Sequence, residues 1–101
     1  MRWFRLPGKR VDEFAGELAQ QFARSCPLDQ MGRKTLPPRR IAAEARVLCE
    51  RAARFSDEQR LGVYSKARLG NAFRWKLTDL GYAPELVEEL TRELVFHISR
   101  K

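Results

Sequence analysis

The chain has 101 residues, with 20 Lys and Arg against 13 Asp and Glu, a formal net charge of +7, and 44% hydrophobic and 33% charged side chains. This length fits one domain, and apolar residues recurring at regular spacing exclude a disordered chain. No run of about 18 apolar residues is present to span a membrane, and the basic start lacks the apolar core of a signal peptide, so the expected location is cytoplasmic.

The charges are sorted into blocks. Residues 1–10 carry Arg2, Arg5, Lys9 and Arg10 with no acid. Residues 30–43 carry Arg33, Lys34, Arg39 and Arg40, and residues 60–78 carry Arg60, Lys66, Arg68, Arg74 and Lys76, again with no acid. The remainder of the chain holds seven bases and all thirteen acids. Segregation of this kind makes positive patches that attract phosphates, an acidic partner, or an acidic part of the same protein.

Taken in chain order, residues 1–8 read as a basic, aromatic arm ended by the breaker pair Pro7-Gly8, and residues 9–101 as a single all-α domain. A first helix is predicted over about 10–26, with Val11, Phe14, Ala15, Leu18, Ala19, Phe22 and Cys26 on one face and Asp12 and Glu13 in its first turn. Pro27 stops it, and residues 27–37 read as a loop. A second helix is predicted over about 38–55, with Ile41, Ala45, Leu48, Cys49, Ala52 and Phe55 as its apolar stripe.

Ser56-Asp57-Glu58-Gln59 has the spacing of a capping box and predicts a short helix ended by Gly62. Ser65 then caps a third long helix over about 66–80. Gly81 suits the left-handed residue that closes it, and Tyr82 the contact back to Leu77. Pro84 at a first helical position, followed by Glu85, Glu88 and Glu89, starts a last helix whose core stripe is Val87, Leu90, Leu94 and Ile98. No stretch alternates with period two. The expected fold is a small all-α bundle of four main helices plus one short helix.

On a helical wheel of residues 64–80, Leu69, Gly70, Phe73, Leu77 and Leu80 define the core side. Arg68, Asn71 and Trp75 fall opposite, with Arg74 flanking and Tyr64 one turn earlier, so Trp75 is out of phase with the core. Arg binds phosphate or guanine edges, Asn reads adenine, and Trp stacks on a base. The expected contact set is therefore Arg68, Asn71, Arg74, Trp75 and Lys76, joined by Arg39 and Arg40 from the second basic block. The same residue types anchor protein interfaces, which gives the alternative of a homodimer or an adaptor for an acidic protein. A third reading keeps Trp75 packed on the arm or the first helix beneath arginine side chains.

Residues 56–80 have the turn length of a helix-turn-helix. Asp57 and Arg68, however, fall where a tight bihelical unit takes apolar residues. Leu69-Gly70 through Leu90, with Leu77, Gly81-Tyr82 and Leu86-Val87, resembles one three-helix repeat of RecX-type recombination regulators. This Gly and Leu spacing covers about a fifth of the chain, is common to short helical hairpins and defines no family. Glu85, Glu89 and Glu93 form an acidic ridge on the last helix, Phe96 is a second off-phase aromatic, and His97 sits at the edge of the apolar stripe as a partly buried structural residue. Cys26 and Cys49 lack metal-ligand or CxxC spacing and read as reduced, buried thiols. There is no Gly-rich phosphate loop, nucleophile–base pair or metal-ligand spacing. The expectation is a non-enzymatic binding protein, associated with nucleic acid through a positive helical surface. No cofactor, metal, membrane or small-molecule substrate enters that reading.

Overall fold

The computed structural model describes residues 7–27 and 38–99. Among these residues there are four helices and no strand: α1 (Pro7–Ser25), α2 (Pro38–Gln59), α3 (Val63–Leu80) and α4 (Pro84–Ser99). The arm over residues 1–6 and most of the 27–37 loop lie outside the described residues. Pro7 begins α1 instead of ending an arm. Proline suits a first helical position, where its missing N–H costs nothing, and Asp12 and Glu13 consequently fall one turn further in, leaving no acid in the first turn.

The predicted apolar stripes form the core. All seven residues of the α1 face are buried, as are Leu48, Cys49, Ala52 and Phe55 of α2, Leu69, Gly70, Phe73 and Leu77 of α3, and Val87, Leu90, Leu94 and Ile98 of α4. The helices close a ring in which α1 packs on α3, α3 on α4, α4 on α2 and α2 on α1. α1 and α2 run antiparallel: Phe14 stacks on Phe55 with ring centroids 3.9 Å apart, while nearer the other end Gln21 donates to Glu44 at 3.2 Å. Arg51 covers the Phe14 ring at 5.2 Å and donates to Gln21 and Glu17, so a polar strap lies over that aromatic pair. α2 and α3 pack mainly on α1 and α4. The separate short helix with which a helix-turn-helix over residues 56–80 would begin does not form, because Ser56–Gln59 are the last turn of the 22-residue α2.

The extra short helix is absent. Ser56–Gln59 continue α2 without a break, because the apolar stripe runs on through Phe55 and nothing there leaves helical geometry. Ser56 is buried, and its carbonyl accepts the Leu61 N–H at 3.0 Å, while Arg60 N–H reaches the Asp57 carbonyl at 3.2 Å. The hydroxyl expected to cap has no hydrogen-bond partner among the described residues. This pattern is a Schellman closure, with Arg60 in the left-handed position (φ 54°) and buried Leu61 following it. Gly62, expected to end a helix, instead precedes one: it is the extended N-cap residue of α3, and Ser65 lies inside the first turn.

A non-glycine residue in the left-handed region carries a steric penalty. Arg60→Gly is therefore expected to stabilise the protein by about 1 kcal/mol, seen as a higher urea midpoint at unchanged m-value. A lower midpoint would mean that the Arg60 side chain contributes more than its backbone strain costs.

At the end of α3 the expected left-handed glycine closure forms, and the link from Tyr82 back to Leu77 is made by its backbone N–H. Gly81 takes φ 101°, and the N–H groups of Gly81 and Tyr82 reach the carbonyls of Thr78 (3.0 Å) and Leu77 (3.3 Å). Tyr82 then turns inward, its ring edge-on to Phe22 at 5.3 Å and its hydroxyl donating to the Cys26 carbonyl at 2.7 Å. α4 returns antiparallel to α3. Gly70 allows the close crossing there: a Cβ on it would lie 2.5 Å from Val95 Cγ2. Cys26 and Cys49 are both buried free thiols. Burial raises both, and Cys49 reaches about 11.

Candidate ligand groove on α3

The side of α3 opposite the core is open. Trp75 is 56% exposed and Tyr64 75% exposed, so the indole is not packed away beneath a neighbouring helix. Eleven positions separate the two rings, about 16 Å along the axis and close to three turns, which puts them on one face. Between them lie Arg68 and Asn71, with Lys76 just beyond Trp75. Together with Asp12 of α1 these residues line a surface groove of about 740 Å³. Asp79 lies at its far end.

Arg68 does not point freely into solvent. Its guanidinium forks onto the Asp12 carboxylate, Nε to Oδ1 at 3.1 Å and Nη2 to Oδ2 at 2.9 Å, and the pair ties α3 to α1. The hydrogen bond from Arg68, reinforced by its charge and that of Lys76, holds Asp12 below the usual carboxylate range. Because the folded-state value is depressed, the stabilisation is present above the ordinary Asp value and is lost as pH falls through the lower folded one. Both side chains are partly exposed, so solvent screening keeps the contribution of the pair small. Gly8, at the start of α1, leaves room for this guanidinium: a Cβ there would lie 3.1 Å from Arg68 Cζ.

Arg74 flanks the groove. Its guanidinium carbon stands 5.9 Å from the Trp75 ring centre, and its Nη2 lies 3.8 Å from Glu88 on α4. Part of the acidic face of α4 thus comes close to the basic face of α3. Lys76 is exposed and leans over Gly16 of α1. Arg39 and Arg40 are exposed in the first turn of α2, a helix that packs on α4 and α1, and neither lines the groove. Among the expected contacts, Arg68, Asn71, Trp75 and Lys76 are gathered in one place, Arg74 stands beside them, and Arg39 and Arg40 belong to another part of the surface.

Two charged groove residues carry no sequence signal for this site. Asp12 reads as a helix-terminus acid, and its partnership spans 56 positions. Asp79 closes the third acid-free block and lies on the groove side of α3. With Arg68 and Lys76 set against Asp12 and Asp79, the groove is close to charge balance. On α4, Phe96 is 60% exposed and touches His97 edge-on at 6.0 Å. His97 is half-buried, with Nδ1 3.0 Å from the Glu93 carbonyl, as a structural histidine would be.

No group of three or more metal-binding side chains occurs among the described residues, and no helix there is long and apolar enough to cross a membrane. Comparison with protein-family models, curated proteins and solved structures finds no match to this chain. Fold and groove together define a small all-α protein with an aromatic, charge-mixed groove on one helix.

Proposed function

We propose that this protein is a non-enzymatic binding protein that contacts nucleic acid through the outer face of α3. The observation that carries the reading is the exposure of Trp75 and Tyr64 on one helical face, interleaved with Asn71 and bordered by Arg74 and Lys76. Exposed rings beside cations are the arrangement that holds bases by stacking and the backbone by charge. Arg74 and Lys76 supply the phosphate contacts. Arg68 contributes less, since its fork is already occupied by Asp12.

Fluorescence anisotropy of a labelled oligonucleotide, repeated at several salt concentrations, tests this. Binding is expected to weaken steeply with salt, by a log–log slope of about 0.7 per phosphate contact on a single strand and about 0.9 on duplex DNA. Arg74→Ala with Lys76→Ala should flatten the slope by about one contact each while helical circular dichroism stays unchanged. Arg68→Ala should change it less. Absence of binding at low salt, for duplex and single strand alike, would refute the reading.

A second reading has its own support. Val63, at the start of the same helix, is 87% exposed, and Asp79 opposes phosphate. Both suit a protein partner, with Trp75 and Tyr64 as anchors. In that case the protein is a homodimer or an adaptor. Sedimentation over a concentration range distinguishes the homodimer, and a strict monomer would eliminate that form.

A further inference from the structure

We infer that the groove takes unpaired bases, so that the ligand is a single-stranded nucleic acid and not a duplex; this rests on the nucleic-acid reading above. Three features of the groove carry it.

The first is the indole. A base inside a duplex has both faces covered by its neighbours, so an exposed Trp75 gains no stacking partner from one. In a single strand every base offers a free face, and stacking on an aromatic ring becomes the main sequence-tolerant contact.

The second is the ring spacing. About 16 Å separates Tyr64 from Trp75 along α3. At the duplex rise of about 3.4 Å per phosphate on one strand, that interval is close to five nucleotides. The two rings therefore cannot hold adjacent stacked bases. They engage separate bases turned out from a flexible strand.

The third is the carboxylate of Asp79. Asp12 in the same groove is neutralised by the Arg68 fork, which leaves Asp79 as the acid on the groove side of α3. A duplex presents a wall of phosphates to a docking helix, and Asp79 opposes it. An unpaired base instead presents its Watson–Crick edge, where amino groups donate to a carboxylate and ring acceptors receive from Asn71 or Lys76. This mixed polarity, with Lys76 for the backbone and Asp79 for a base edge, suits a base stacked on Trp75 with its edge toward Asp79.

The experiment compares a labelled single strand of about 16 adenines and cytosines, whose bases carry the amino groups that a carboxylate accepts, with the duplex it forms with its complement, at matched salt and within the usual site-size range. The single strand is expected to bind at least tenfold more tightly. Trp75→Ala should weaken it about tenfold, as stacking losses do, without altering the salt slope, because the indole carries no charge. Trp75→Phe should recover part of the loss. In a Trp3→Phe background, which leaves Trp75 as the one indole of the chain, single-strand binding should quench the fluorescence.

Equal or tighter duplex binding, or a Trp75→Ala variant that binds as the parent does, overturns the inference and leaves the nucleic-acid reading standing. Binding of neither probe removes both. Because Trp75 is exposed and outside the core, its variants are expected to retain the parent's helical circular dichroism, which checks that a loss of binding is local.

Discussion

Gly70→Ala is expected to destabilise the protein by about 1–3 kcal/mol, the usual cost of forcing extra volume into a packed contact. The direction is the informative part. In an exposed helix interior, replacing glycine with alanine adds close to 1 kcal/mol of helix propensity. Here the new Cβ would stand 2.5 Å from Val95 Cγ2, a separation that van der Waals contact does not allow. Val95 is β-branched and stiff about χ1, so it cannot swing aside as a long side chain would, and α3 and α4 must move apart. A double-mutant cycle with Val95→Ala measures the coupling: the pair should be more stable than the sum of its parts predicts. A higher urea midpoint for Gly70→Ala alone would show that the crossing has slack, and that this glycine is not needed for close approach.

Tyr82→Phe is expected to cost a similar amount, about 1–3 kcal/mol, because it strands a buried acceptor. The Tyr82 hydroxyl donates to the Cys26 carbonyl at 2.7 Å, in a buried place just after α1 ends. The aromatic contact with Phe22 survives the change, so any loss belongs to the hydrogen bond. For a chain of this length the midpoint of thermal unfolding should fall by roughly 4–8 °C per kcal/mol. An unchanged midpoint would mean that water replaces the phenol at the Cys26 carbonyl.

These two residues also mark where sequence reasoning works and where it stops. The core faces of α1 and α4 follow from the spacing of Val11 through Cys26 and of Val87 through Ile98, since a helix buries what its period brings together. Gly81 and Tyr82 are readable for a similar reason: their signal is local and turns on one left-handed residue. Ser56 reads as a helix start although it lies in a helix end, because the same four residues serve both. What separates the two is whether the apolar stripe continues, and Phe55 carries it through. Arg60 then takes a position normally filled by glycine, so no residue type announced the stop.

The groove was half visible. The wheel put Arg68, Asn71 and Trp75 together because they share one helix. It could not show that Asp12 holds the Arg68 fork, that Gly70 accommodates Val95, or that Arg39 and Arg40 stand on a different helix from the groove. Those depend on which helices become neighbours. Among the described residues, Arg39 and Arg40 are set apart from the basic residues of α3 by the ring order of α1, α3, α4 and α2.

The two cysteines have a kinetic consequence. A thiol reacts as its thiolate, and burial holds both sulfurs in the protonated form, Cys49 with a value of about 11. A reagent in solution therefore gains access only during excursions in which helices separate. Cys26 follows the last turn of α1, beside the Tyr82 clasp, whereas Cys49 lies on the core side of α2, the helix that packs on α4. The chain thus carries two internal clocks on different seams of the ring. The order in which they are labelled records which seam opens first.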